Sequence, residues 1–188
     1  MTFNATTASF LADAAARAVE SNPEAFEDVL SDIPAAIYVT DNEGTVTYFN
    51  EACIEAVGRM PQPGVDRWCV SWKLYTADGE FLPHERCPMA VAIKEGREVR
   101  GVEIVAERPD GTRARLVPYP TPLFDRDGAL CGAVNLLVDI TDQRNADFLA
   151  DRADQCRQLA AEVDDPHASE MLALMAAKYS EQARKAED

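Results

Sequence analysis

Residues 37–52 read IYVTDNEGTVTYFNEA, two runs of β-branched and aromatic residues separated by Asn42-Glu43-Gly44. The pattern predicts a β-hairpin, because such runs suit a pleated, half-buried surface and Gly44 supplies the positive φ of a tight reversal. Asn50 stands where it can close the second strand and cap a helix over EACIEAVG, with Ala52, Ile54 and Val57 inward and Gly58 as the stop.

Upstream, SFLADAAARAVE places Phe10, Leu11, Ala14, Ala18 and Val19 on one side of a helix that ends near Asn22-Pro23. A second short helix follows in PEAFEDVLSDIP, opened by Pro23, striped by Phe26, Val29, Leu30 and Ile33, and stopped by Pro34. Downstream, the prolines of RMPQPGVDRWCVSWKLYTADGEFLP forbid a long helix, and Asp78-Gly79 predicts a small second hairpin between SWKLY and EFLP. Cys87-Pro88 then opens a helix over PMAVAIKEG, with Met89 and Ile93 inward and Gly96 at its end.

Three strands follow in VRGVEIVAERP, TRARLVPYPTPLF and ALCGAVNLLVDIT, joined by Pro109-Asp110-Gly111 and Arg126-Asp127-Gly128. Pro118, Pro120 and Pro122 share one parity, so their missing N–H groups lie along one flank and the ladder there must be thin or broken. From Asp142 the pattern is helical, with one seam of Leu149, Ala153, Cys156, Ala160 and Val163 and, after Asp165-Pro166, another of Ala168, Leu172, Met175, Tyr179 and Ala183. The two predict an antiparallel helical hairpin.

The stretches IYVTDNEGTVTYFNEA, GREVRGVEIVAERPDGTRARL and DRDGALCGAVNLLVDIT, in that order, resemble the PAS sensor domain family over roughly Phe26 to Gln143. The resemblance implies an α+β fold: a five-stranded antiparallel sheet of order 2-1-5-4-3, helices on one face, and a cavity between them that in some members holds a small molecule. The chain then divides into an N-terminal helical extension (1–25), the PAS domain (26–143) and the C-terminal helical hairpin (144–188). The resemblance also gives Asp139, Ile140 and Thr141 the link from sheet to signalling helix. Aspartate and threonine suit that junction, since both hydrogen-bond backbone groups where a strand gives way to a helix.

If Thr40 faces the helices, as in the family, strand parity turns Tyr38 the same way and makes Leu116, Asn135 and Leu137 its counterparts. With Trp72, His84, Met89 and Ile93 they form the candidate ligand cavity. Asn135 stands out there, because an inward amide needs a partner.

His84 and Cys87, with Cys69 as a third, fall short of the four ligands of a structural zinc site, so no metal is expected. Haem-binding relatives carry a histidine on the helix before the third strand, and AVAIKEGREVRG has none. The light-sensing relatives' Asn-Cys-Arg-Phe-Leu-Gln motif is absent, so neither haem nor flavin is expected and the ligand stays unidentified. Cys87 at a helix start is a candidate reactive thiol, or simply a buried filler.

A net charge of −15 repels phosphate backbones and anionic lipid, which argues against nucleic-acid and membrane partners. No apolar run approaches the roughly 20 residues of a spanning helix, and MTFNATTASF lacks signal-peptide character. Five scattered cysteines suit reduced thiols, and a cytoplasmic location is expected. No nucleophile elbow or phosphate loop is present, so no enzyme is expected; His167 lacks a phosphoacceptor context. The functional expectation is a homodimeric sensory module that passes a ligand- or partner-dependent signal through its C-terminal helices to a signalling protein. The alternatives are an interaction and dimerisation adaptor with a filled core, and a haem- or thiol-based redox sensor using His84 and Cys87.

Overall fold

The hairpin expected at residues 37–52 is present in the computed structural model as β1 (Ala36–Asp41) and β2 (Val46–Phe49), paired antiparallel with a bulge between Val39 and Thr40. Asp41 shapes the turn: its Oδ1 accepts the N–H groups of Glu43 at 2.9 Å and Thr45 at 2.8 Å. The structure describes residues 5–21, 26–31, 33, 35–162 and 166–187. Asn22, Pro23, Pro34, Val163 and Asp165 lie outside the described residues, as do the side chains of Ala18, Val29, His167 and Ala168.

Helices α1 (Ala5–Ser21) and α2 (Phe26–Ser31) precede the sheet, and α3 (Glu51–Val57) follows the hairpin. Asn50 makes no side-chain cap on α3. Its amide instead turns back: Oδ1 accepts Ile37 N–H at 2.9 Å, and Nδ2 donates to the carbonyls of Leu30 (3.2 Å), Ile33 (3.3 Å) and Ala35 (2.8 Å). The carbonyls at the end of α2 lack helical donors, and a buried amide satisfies several of them together. On α3 the buried residues are Cys53 and Val57, with Cys53 in the place expected of Ile54.

The remaining elements are β3 (Lys73–Thr76), a 3-10 turn at His84–Arg86, α4 (Pro88–Glu95), β4 (Ile104–Glu107), β5 (Arg113–Phe124) and β6 (Leu130–Asp139). All six strands form one antiparallel sheet of order β2-β1-β6-β5-β4-β3. The five main strands keep the expected order, but the sheet has six strands, not five. Lys73–Thr76 was expected only as an arm of a local hairpin; its return arm is a single bridge from Tyr75 to Phe81, and its main partner is β4. The proline argument holds, because the β4–β5 register stops at Leu116 and Pro118, Pro120 and Pro122 face partners only on β6. The open flank is filled by Arg100, whose Nη1 donates to the Pro120 carbonyl at 2.8 Å.

On one face, Ala36, Tyr38, Leu74, Ile104, Ala106, Ala114, Leu116, Ala133 and Leu137 join Cys53 and Val57 of α3 and Met89, Ala90 and Ile93 of α4 in a single core. The other face is not bare: α1 packs on β5 and β6 through buried Ala8, Ala12, Ala15 and Ala16. Helices therefore lie on both faces, where one was expected. Arg100 pins α1 by binding Thr121 Oγ1 at 2.9 Å and Asp13 Oδ1 at 3.3 Å. Phe10, expected on the inward stripe, is 65% exposed, because the alanine side gives the closest approach to the sheet.

The chain divides into two compact units, Met1–Asp139 and Ile140–Asp188. In the second, α5 (Thr141–Glu162) and α6 (Pro166–Glu187) pair antiparallel, Arg157 Nη1 donating to Ser180 Oγ at 3.1 Å and Ser169 Oγ to the Ala160 carbonyl at 2.8 Å. Ala146, Ala153 and Cys156 are buried on α5, and Ala176 and Ala183 on α6. Met175, expected in this seam, is 41% exposed; its neighbour Ala176 is buried instead. No described helix is long and apolar enough to cross a membrane.

Candidate functional site

At the centre of the sheet β6 places Asn135 opposite Tyr38 on one side and Pro120 on the other. Asn135 is 1% exposed and bonded at both ends of its amide: Oδ1 accepts the Tyr119 N–H at 3.0 Å, and Nδ2 donates to Tyr38 Oη at 3.0 Å. Tyr38 Oη in turn donates to the Trp68 carbonyl at 3.1 Å. Burial, followed by the neighbouring Cys69 and Cys87, raises the Tyr38 phenol well above its ordinary value and keeps it a neutral donor. The result is a continuous polar line across an apolar core, from β5 through β6 and β1 to the loop before β3. Each break in it would leave a buried group unpaired, at about 1–3 kcal/mol.

Trp68 anchors the far end in a left-handed conformation, φ 67°, which costs a bulky residue on the order of 1–3 kcal/mol and must be held by its surroundings. Its N–H donates to the Gly44 carbonyl at 2.6 Å, and its ring lies where any Cβ on Gly44 would sit. Arg67 and Lys94 stand over the ring, 5.4 and 5.0 Å from its centroid. The hairpin turn thus depends on glycine for a contact as well as for its φ of 82°.

Three buried cysteines surround Tyr38. Cys53 Sγ donates to the Ile37 carbonyl at 3.1 Å, and burial pushes its thiol up. Cys87 Sγ reaches the Trp68 carbonyl at 3.6 Å. The neighbouring Cys87 first, and His84 after it, lower Cys69 against the opposing effect of burial. Cys87 is raised, by Cys69 first and by burial second, although the N–H groups of Ala90 and Met89 at the start of α4 favour its anion.

Of the expected cavity residues, Tyr38, Thr40, Met89, Ile93, Leu116, Asn135 and Leu137 are all buried on the helix side of the sheet. Thr40 Oγ1 and, in the loop, Ser71 Oγ are buried without a hydrogen-bond partner among the described residues. His84 is half-buried at the rim, close enough to act on Cys69. Trp72 does not join them: it is 54% exposed, because the chain bends at Val70–Trp72 and gives the inward positions to Val70 and Leu74. Among the described residues no group of three or more His, Cys, Asp or Glu side chains could hold a metal ion. At the exit, Asp139 ends β6 opposite Leu116, the Ile140 carbonyl accepts the Arg144 N–H at 2.9 Å, and Thr141 begins α5.

Trp68, Cys53 and the contact of Cys87 with the Trp68 carbonyl were not foreseen. Their partners lie 16 to 30 residues away, and no local pattern marks them.

An antiparallel sheet whose central strand carries a buried amide, is roofed by short helices and leads directly to a long helix defines a class of α+β domain. Residues 30–145 match the family model described as PAS fold, and the chain belongs to that family. Sensor protein TdiS of Thauera aromatica is 22% identical over 126 residues, 67% of this chain and 23% of TdiS, so the chain spans under a quarter of that relative. The Rhodobacter sphaeroides LOV protein superposes with a TM-score of 0.51 at 16% identity, over 89% of this chain and 98% of that one. The latter likeness is one of fold.

Proposed function

We propose that the chain is a cytoplasmic sensory module in which the state of the interior around Tyr38 and Asn135 is passed along β6 to α5 and α6, where a signalling protein reads it. The observation that carries this reading is the buried line from the Trp68 carbonyl through Tyr38 to Asn135, on the strand whose last residue, Asp139, leads into α5. A small, mostly apolar molecule with one polar group suits the interior, since the Thr40 and Ser71 hydroxyls supply donors that no described residue accepts. Such a ligand acts only through the difference in its affinity for two arrangements of this line. Exposed Phe148, Leu159 and Leu174 support pairing of the helical hairpin with a second copy.

A specific observation favours the adaptor reading: Met89, Ile93, Leu116 and Leu137 already close the inner face of the sheet. Native mass spectrometry of the purified chain separates the two. The sensory reading expects an adduct lost on denaturation, and slower hydrogen exchange along β6 and early α5 when it is bound. A bare mass, with β6 and α5 exchange unchanged across a metabolite library, would leave the adaptor. For the pairing, light scattering on a Phe148→Lys, Leu174→Lys double variant should show the mass of one chain where the parent shows two.

A further inference from the structure

We propose that residues 59–72 are a hinged lid over the inner face of the sheet, latched by Trp68, and that its opening is the route by which a small molecule reaches Tyr38 and Asn135. The segment runs from Gly58, the left-handed cap of α3, to the bend ahead of β3. It is one chain thick: residues 62–65 and 67 are exposed on its outer side, while Cys69, Val70 and Ser71 are buried. Its two ends are braced to each other. Arg59 Nε donates to the Val70 carbonyl at 2.8 Å, its guanidinium pairs with Asp66, and Asp66 accepts the Gln62 N–H at 2.8 Å. A segment braced in this way moves as one piece.

The lid is fastened along the β1–β2 turn. Val46 N–H donates to the Asp66 carbonyl and Gly64 N–H to the Val46 carbonyl, each at 2.8 Å, and Arg67 Nη2 donates to the Glu43 carbonyl at 2.7 Å. Trp68 closes the latch. Its N–H binds the Gly44 carbonyl, its own carbonyl accepts Tyr38 Oη and is reached by Cys87 Sγ, and Lys94 of α4 stands over its ring. Together these contacts hold Trp68 at φ 67°, the one positive φ of a non-glycine among the described residues.

That strain is relieved when the latch lets go, since a freed tryptophan returns to negative φ. Ser71 Oγ weighs on the same side: it is buried without a partner among the described residues, and opening gives it water. Burial of Val70 weighs against both and keeps the closed form dominant. The lid is thus poised to open before the sheet unfolds. Opening breaks the Tyr38–Trp68 bond, so the lid and the polar line change together, and a ligand that offers Ser71 an acceptor holds the lid shut. The role as a ligand route rests on the sensory reading above; the opening itself does not.

The test labels the thiols of the reduced full chain with N-ethylmaleimide in rising but sub-denaturing urea, and maps the labelled peptides. Cys69 rides on the lid and Cys87 lies against the Trp68 carbonyl, whereas Cys53, equally buried, is bonded to Ile37 of β1. Cys69 and Cys87 should label together, at least about tenfold faster than Cys53 and almost independently of urea, because a local opening exposes little surface. Trp68→Ala, which removes the ring and keeps the strain, should speed labelling of Cys87 about tenfold and leave Cys53 unchanged. Trp68→Gly, which adopts a φ of 67° freely, should label about threefold more slowly than Trp68→Ala. A glycine variant labelled faster than the alanine one would overturn the strained latch. Equal rates and equal urea dependence at Cys53, Cys69 and Cys87 in the parent chain would overturn the lid, and that comparison stands even where neither variant folds. A bare native mass beside urea-independent labelling would sink the sensory reading and leave the lid standing.

Discussion

In the sheet-bearing unit a few residues hold segments that are far apart in the chain: Asn50 ties α2 to β1, Asn135 ties β5 to Tyr38, and Gly132 lets β6 approach β1. Among the described residues of the α5–α6 pair the buried positions are Ala146, Ala153, Cys156, Ala176 and Ala183, small side chains on neighbouring turns. The first unit is specified by contacts that accept no substitute, the second by a repeated pattern in which any one position matters little. On the sensory reading proposed above, the first kind belongs where a signal is detected, because only a mutually dependent set of contacts has discrete alternatives.

The largest test of that contrast is Gly132→Ala. A Cβ there would fall well inside van der Waals contact of the Thr40 carbonyl oxygen, a backbone atom on the neighbouring strand that cannot swing aside. Urea unfolding should show a loss of about 3 kcal/mol, the upper end of overpacking costs. Ala153→Gly in the α5 seam should cost about 1 kcal/mol, the ordinary helix penalty. Equal costs would break the distinction between the units.

Next comes Asn135→Leu, which keeps side-chain volume but leaves the Tyr119 N–H without its side-chain acceptor and removes the donor to Tyr38. The expected loss is about 2 kcal/mol, from one or two buried groups deprived of a partner. The variant also sharpens the comparison, because hydrogen exchange should rise at Trp68 and along β6 while the middle of α5 stays as it was. A loss confined to β6, with Trp68 unmoved, would show that the polar line is only local.

Much of the fold could be read because its signals are local. The Asn42-Glu43-Gly44 reversal and the aspartate-glycine turns are set by residues within a few positions, whereas turning Tyr38, Thr40, Leu116, Asn135 and Leu137 inward took the family's placement of Thr40 together with strand parity. Even the broken ladder was legible, since a missing N–H at Pro118, Pro120 and Pro122 is a property of the residue itself. The misreadings share one cause. β3 earns its place in the sheet from β4 some thirty residues later, Trp72 is turned out by a bend that Val70 and Leu74 impose, and Asn50 is drawn from its helix by carbonyls in α2. Phe10 lost its place to alanines because only the docked sheet decides which side of a helix may come close. Within the site, Asn135 was recognisable as an amide on an inward position, whereas the contact of Cys87 with the Trp68 carbonyl required two loops to be folded together.

The smallest effect compares one carboxylate in each unit. Glu107 on β4 binds Lys73 of β3 at 3.0 Å and Arg113 of β5 at 2.9 Å, and Arg113 first, then Lys73, lowers its pKa to about 2. Glu181 on α6 is lowered by Lys185 one turn away, at 2.7 Å. Both groups have folded pKa values below the unfolded glutamate value of about 4.3, so both contribute stability that is complete above that pH and lost on acidification. For Glu107 the window runs from about 4.3 down to about 2. Both pairs face solvent and are screened by salt, so neither governs global unfolding. The difference lies in what each holds: Glu107 joins three strands and secures the edge strand β3, while Glu181 joins one helical turn to the next. Hydrogen exchange in β3, corrected for its intrinsic pH dependence, should therefore quicken between pH 4.3 and 2 in the parent chain and lose that pH response in Glu107→Gln. Glu181→Gln should alter only the last turns of α6. If β3 protection is flat across that window in the parent, the edge strand is held by Leu74 and its backbone ladder alone, and the long-range character of the first unit resides in its interior.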